Sequence, residues 1–193
     1  IFDPFFTTKF SGRGLGLACG VMNAGAFPVS IAIARLHADG SATLLVGTTE
    51  IGQGARTVLS QIAAEELALP LAMVIVARGD TDAMPFDRST GSSRSTTLMG
   101  LAVQRAAREI RAQLVRIGAK LLKAAPTAIT LRDGSLWARG RKRISYAAAI
   151  GAHFGLPGGE LVGRGYVRPP GGKPVLPVFW EIARSRSMSA AWP

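Results

Sequence analysis

A glycine-rich corner at residues 47–56, with the sequence G-T-T-E-I-G-Q-G-A-R, joins two segments of different periodicity. A strand-like run at 42–46 precedes the corner, and a helix-like run at 57–69 follows it. Glycine permits backbone conformations that other residues avoid and lets a ligand approach closely. Because a helix also begins with unpaired N–H groups, this corner is suited to the edge of a ligand site, although many such corners are purely structural.

The composition predicts a folded domain with a substantial core. The chain has 193 residues, of which 48% are hydrophobic, and its mean hydropathy is +0.25. No apolar run approaches the roughly 20 residues that span a bilayer, and the N-terminus lacks the pattern of a secretory signal. The single cysteine, Cys19, excludes an internal disulfide. These features predict a cytoplasmic protein with no membrane partner.

The charge is strongly basic, with 23 Lys and Arg residues against 12 Asp and Glu and a net charge of +11. Such a balance suits nucleic acid, an anionic ligand or an anionic subunit. The densest basic patch lies at 139–143, and no five basic residues are consecutive. We therefore expect solvated or inter-subunit charge and no nucleic-acid partner.

The periodicity predicts an α+β fold, with mixed sheets and packed helices. An Asp-Gly pair at 39–40 predicts a hairpin between two strands. Ser145 is expected to cap a short helix. The predicted strands cover 30–36, 41–46, 71–77, 161–167 and the start of one at 178–182, a second hairpin covers 129–138, and the helices cover 57–69, 97–123 and 145–154.

A second polar loop spans residues 79–97 and ends in the hydroxyl-rich segment S-S-R-S-T-T. Long loops without regular structure are commonly functional. Hydroxyls, helix-start N–H groups and an arginine together form a typical anion site. The loop also carries Asp80, Asp82 and Asp87, but it lacks the glycine and the terminal glutamate of a calcium-binding EF-hand loop.

The first eighteen residues have a separate likeness. The segment I-F-D-P-F-F-T-T-K-F-S-G-R-G-L-G-L-A resembles the end of the ATP lid of sensor histidine kinases. That family also requires an Asn-bearing helix and a D-x-G-x-G turn, and neither occurs in this sequence. We therefore expect no nucleotide site here, and we predict that residues 1–18 are a fused or mis-joined end.

The central segments resemble the molybdopterin-binding large subunit of the xanthine dehydrogenase and aldehyde oxidase family. The matching segments are G-T-T-E-I-G-Q-G-A-R-T-V-L-S-Q-I-A-A-E-E-L at 47–67, G-D-T-D at 79–82 and S-T-G-S-S-R-S-T-T-L-M-G-L-A-V at 89–103. Their order and spacing also resemble that family. The resemblance implies part of the second molybdopterin-binding domain, in a protein that hydroxylates aldehydes or N-heterocycles with oxygen derived from water.

The same resemblance implies which residues hold the cofactor. Gln53 would hydrogen-bond near the apical oxo ligand of the molybdenum. The remaining implied cofactor contacts are Gly52, Gly54, Ala55, Arg56, Ser92, Ser93, Arg94, Ser95 and Thr96. No residue would bind the metal directly, because the pterin dithiolene supplies its sulfur ligands. The cofactor is expected in its cytosine dinucleotide form, with iron–sulfur and FAD partner subunits in a hetero-oligomer.

The chain departs from the family pattern in one respect that concerns catalysis. The family's general base is a glutamate in a V-G-E-type turn, and Glu160 and Glu181 stand in other contexts. We therefore predict no catalytic residue and no activity for the chain alone.

The predicted division of the chain is a histidine-kinase-like end at residues 1–18, a partial molybdopterin-binding domain at 19–183 and an aperiodic tail at 184–193. The alternatives are a non-functional fusion remnant, an ATP-binding kinase fragment and a basic nucleic-acid-binding module.

Overall fold

The computed structural model describes residues 29–88, 90–91, 93–138, 143–155 and 158–168. Within these ranges the chain forms two β-sheets and three α-helices. The strands are β1 (Ser30–Leu36), β2 (Ala42–Val46), β3 (Val74–Val76), β4 (Thr130–Arg132), β5 (Ser135–Trp137), β6 (Arg143–Ser145) and β7 (Leu161–Val167), and the helices are α1 (Ala55–Leu67), α2 (Gly100–Leu122) and α3 (Tyr146–Phe154). The predicted end at 1–18, the tail at 184–193 and the strand at 178–182 lie outside the described residues.

The larger sheet has the strand order β3-β2-β1-β7. Strand β1 is antiparallel to both β2 and β7, and β3 adds to β2 in parallel. The predicted Asp-Gly turn joins β1 to β2: Gly40 has φ +87, a conformation that suits glycine. The Asp39 carboxylate accepts the Ser41 N–H at 2.8 Å, which closes the turn.

Helices α1 and α2 cover one face of this sheet. Every second residue of β1, β2 and β7 is buried on that face. A Cβ atom at Gly163 or Gly165 would overlap the carbonyl oxygens of Ala106 and Ala102 in α2. Glycine therefore lets α2 lie directly on β7, and this contact fixes where the N-terminal end of α2 stands.

The smaller sheet, of order β4-β5-β6, packs with α3 at the other end of α2. Leu136 of β5 is fully buried beneath Gly118 of α2. Ser145 caps α3 as predicted, since its Oγ accepts the Ala148 N–H at 3.2 Å. The buried Tyr146 hydroxyl donates to the Leu67 carbonyl oxygen at 2.6 Å, and burial raises the pKa of that tyrosine. This bond attaches α3 to the end of α1.

The α+β fold class is confirmed, and the main differences from the predicted boundaries lie in three elements. Helix α1 ends at Leu67, because Pro70 disfavours a helical residue before it and Ala68 turns left-handed with φ +49. A 3₁₀ turn, Leu71–Met73, shortens the predicted strand to Val74–Val76. The long helix begins with a π-helical segment, Ser95–Met99, before α2. In the part of the chain that the structure describes, no helix has the length and apolarity to cross a membrane.

Candidate functional site

The first glycine-rich loop leaves β2 at Val46 and enters α1 at Ala55. Gly52 and Gly54 have φ +97 and +74, so both backbone positions favour glycine. A Cβ atom at either one would meet nothing within 4 Å. The loop therefore exposes its backbone to open space at the point where α1 begins.

The carboxylate of Glu50 lies at the N-terminus of α1. Its Oε1 accepts the Gly52 and Gly54 N–H groups at 2.9 and 3.0 Å, and its Oε2 accepts the Arg56 N–H at 3.2 Å. The N–H groups of Arg56, Gly54 and Gly52 and the nearby Arg56 guanidinium lower the pKa of Glu50. The sequence analysis missed this residue, although an acid just before a helix start is a recognisable stabilising signal.

Gln53, the residue expected beside the molybdenum, is exposed and folded onto its own loop. Its Nε2 donates to the Thr49 carbonyl oxygen at 2.8 Å, and its Oε1 accepts the Ile51 N–H at 2.6 Å. Both ends of the amide thus brace the loop. Arg56 is exposed and Ala55 is buried, so of these two only Arg56 presents a side chain to a ligand.

The last part of the second loop, residues 93–97, exposes three of its four hydroxyl side chains and buries Arg94. Ser93 and Thr96 are exposed, whereas Arg94 and Ser95 are buried. Ser93 has φ +53, which turns the chain into the π-helical segment. Ser92 lies outside the described residues. Of the five predicted cofactor residues in this loop, Ser93 and Thr96 are therefore the described ones that are exposed to a ligand.

The two loops meet directly. Thr90 Oγ1 donates to the Thr49 carbonyl oxygen at 3.1 Å, and Thr48 Oγ1 donates to Asp87 Oδ2 at 2.7 Å. A Cβ atom at Gly47 would lie 2.6 Å from the Pro85 carbonyl oxygen, so glycine is needed for this approach. The structure thereby brings together two segments that are about forty residues apart in sequence.

Two glutamates were considered as the general base, and Glu160 is the one that lies among the described residues. It is at the opposite end of β1 from the two loops. Its Oε2 pairs with Arg35 Nη2 at 2.6 Å, next to the turn after Leu36. Glu181 lies outside the described residues.

Two surface hollows also lie away from the loops, one beside α3 at Asp39 and Gly151 and one beside α2 at Glu66 and Arg108. Among the described residues, no group of three or more His, Cys, Asp or Glu side chains could hold a metal ion.

The family model described as a molybdopterin cofactor-binding domain matches residues 6–181. The carbon monoxide dehydrogenase large chain of Hydrogenophaga pseudoflava is 39% identical over 116 residues, which are 60% of this chain and 14% of that protein. The putative xanthine dehydrogenase molybdenum-binding subunit of Escherichia coli is 33% identical over 129 residues, 64% of this chain and 17% of that protein.

A solved structure of reconstituted CO dehydrogenase from Oligotropha carboxidovorans matches with a TM-score of 0.65 at 30% identity. The match covers 73% of this chain and 18% of that chain. This chain therefore spans less than a fifth of the length of these relatives. The likeness extends over both loops, since the family match includes all ten residues that the sequence assigned to the cofactor.

Proposed function

We propose, because this chain belongs to the molybdopterin cofactor-binding domain family, that its two loops hold part of a molybdopterin cofactor. The parent protein would be an oxidoreductase that hydroxylates aldehydes or N-heterocycles with oxygen derived from water. The observation that carries the proposal is the direct contact of the two loops at Thr48, Thr49, Asp87 and Thr90, inside the matched region.

The residues present suit an anionic, polar cofactor. Three backbone N–H groups at or just before the start of α1 donate to the Glu50 carboxylate, so an oxyanion is stable at this position. A Cβ atom at Gly52, Gly54 or Gly91 would meet nothing within 4 Å, and Ser93 and Thr96 are exposed. The bound Glu50 carboxylate shows that the N–H groups at this helix start can bind an oxyanion.

When bound, the cofactor supplies the two-electron redox chemistry of the reaction. The first loop would hold it beside the exposed Arg56 side chain, and Gly52, Gly54 and Ala55 would let it come close to the backbone. The Gln53 amide would reach it by releasing its bonds to Thr49 and Ile51. The second loop would bind it through the hydroxyls of Ser92, Ser93 and Thr96. Arg94 and Ser95 are buried in this structure, and they would support the loop from its buried side.

The finer assignments rest on the family likeness. We propose the cytosine dinucleotide form of the cofactor, iron–sulfur and FAD partner subunits in a hetero-oligomer, and a cytoplasmic location. The matched relatives bear names with different substrates, carbon monoxide and xanthine. Xanthine is an N-heterocycle and carbon monoxide is not, so the proposed class of aldehydes and N-heterocycles rests on the family resemblance. Since the sequence has no glutamate in a V-G-E-type turn, the chain alone should not turn over substrate, and measurable turnover would contradict this expectation.

A binding assay tests the proposed function. The purified chain is incubated without oxygen with molybdopterin released from a molybdoenzyme, and the retained pterin and molybdenum are quantified after gel filtration. We expect retention by the unmodified chain and a loss of roughly 10- to 150-fold in affinity for Thr96→Ala, since a hydrogen bond to a charged group contributes roughly 1.5–3 kcal/mol. Thr127→Ala is the matched control, because Thr127 is also exposed and lies in the separate 3₁₀ turn Pro126–Ala128.

Two results would count against the proposal. Retention no higher than that of an unrelated protein would favour a non-functional remnant. Equal losses of pterin affinity for Thr96→Ala and Thr127→Ala would show that the second loop is not part of the cofactor site. The family match over residues 6–181 supports cofactor binding over the kinase and nucleic-acid alternatives.

A further inference from the structure

Asp87 is the buried point at which three parts of the chain meet. Its side chain is 1% exposed. Oδ1 accepts the Ser30 hydroxyl at 2.9 Å and Arg94 Nη1 at 2.7 Å, while Oδ2 accepts the Thr48 hydroxyl at 2.7 Å. One carboxylate therefore joins the start of β1, the first loop and the second loop.

The Arg94 guanidinium is enclosed by the same network, with its side chain 4% exposed. Besides Asp87, Nη1 donates to the Arg88 carbonyl oxygen at 2.9 Å, and Nη2 donates to the Ser30 hydroxyl at 2.9 Å. Nε finds no partner among the described residues, and it is buried, so a ligand at the surface cannot reach it. Contact between this guanidinium and a cofactor would require the network to open.

We propose that Asp87 and Arg94 form a clamp that sets the position of the first loop relative to the second. The connection to the first loop runs through Thr48, which lies directly after Gly47 and two residues before Glu50. Arg94 is thus a positioning residue that acts through Asp87 and Thr48. The consequence for the cofactor rests on the proposed function, whereas the clamp itself belongs to the cofactor-free chain.

The clamp predicts that a substitution in the second loop changes the mobility of the first loop. Arg94→Met changes the second loop but should loosen Gly52 and Gly54 in the first loop. Thr48→Val cuts the connection to Asp87 while the buried ion pair stays intact, so this variant should fold even if Arg94→Met does not. Combining both changes should loosen the first loop no further than Arg94→Met alone, because both act on the same connection.

Amide hydrogen exchange of the cofactor-free chain, measured by NMR, tests the clamp. We expect Thr48→Val and Arg94→Met each to speed exchange at Gly52 and Gly54 by about tenfold, as a lost hydrogen bond to a charged group predicts. Arg94→Lys keeps the charge but not the planar fork, so it should restore part of the protection. Tyr146→Phe is the control, because it removes a buried hydrogen bond that lies at the far end of α1.

The proposal is overturned if Thr48→Val leaves exchange at Gly52 and Gly54 at the level of the unmodified chain. It is also overturned if Tyr146→Phe speeds that exchange as much as Thr48→Val does, since the effect would then be general destabilisation. Pterin retention is measured separately on the same variants. A chain that retains no pterin but shows the cross-loop effect would contradict the proposed function and leave the clamp standing.

Discussion

Gly165→Ala should destabilise the domain through one defined contact between β7 and α2. A Cβ atom at this position would overlap the Ala102 carbonyl oxygen and would stand 2.7 Å from the Ala102 carbonyl carbon and 2.8 Å from the Ala106 nitrogen. These are backbone atoms within a helix, so no side-chain rotation can relieve the overlap. Either α2 or β7 must move away from the other.

The expected cost lies at the upper end of the range for overpacked cores, about 3 kcal/mol. For a chain of this length that corresponds to a fall in the melting temperature of roughly 6–12 °C. Urea unfolding followed by circular dichroism measures the change in the free energy of unfolding. The loss matters for the site because α2 continues directly from the π-helical segment at the second loop.

Gly79→Ala is the matched control for this substitution. A Cβ atom at Gly79 meets nothing within 4 Å, and Gly79 is not among the glycines with positive φ. Its free energy of unfolding should change by no more than about 0.5 kcal/mol. If Gly165→Ala unfolds at the same urea concentration as Gly79→Ala, the close packing of α2 on β7 is refuted.

Three further changes test other contacts. Acidification should free the first loop, because the pKa of Glu50 is lowered in the folded chain: the stabilisation by its carboxylate is present above the ordinary pKa of 4.5 and is lost as the pH falls through the lower folded pKa. Protection of the Gly52 amide, relative to its intrinsic exchange rate, should disappear over that fall in pH. Glu50→Gln should abolish the pH dependence. Ser145→Ala should lower the free energy of unfolding by about 1 kcal/mol in urea titrations, because it removes the cap of α3. Gly47→Ala should cost about 1–3 kcal/mol by the same assay and separate the two loops, which faster exchange at Gly52 would reveal.

Local patterns in the sequence predicted much of the fold. The Asp39-Gly40 turn, the Ser145 cap and the strand at 161–167 each depend on residues close together in the chain, and the structure confirms all three. The family resemblance carried by the two loops is likewise confirmed. The division at residue 18 remains a prediction.

The inward position of Arg94 could not be predicted from the second loop alone. A serine-rich segment with an arginine is typical of an anion site, and only the tertiary structure shows that Ser30, 64 residues away, and Asp87 enclose the guanidinium. Burial of this kind depends on contacts between distant segments. Glu50 differs, because its bonds to Gly52, Gly54 and Arg56 are local and the sequence carried the signal.

The most direct measurement of the central claim is a footprint of molybdopterin on the chain by amide hydrogen exchange. If the two loops form the cofactor site, added molybdopterin should slow exchange at residues 50–56 and 93–97 together. Exchange in β4, β5 and α3 should stay unchanged, because those elements lie at the other end of α2. Protection confined to other elements, or no protection in either loop at saturating molybdopterin, would contradict the account.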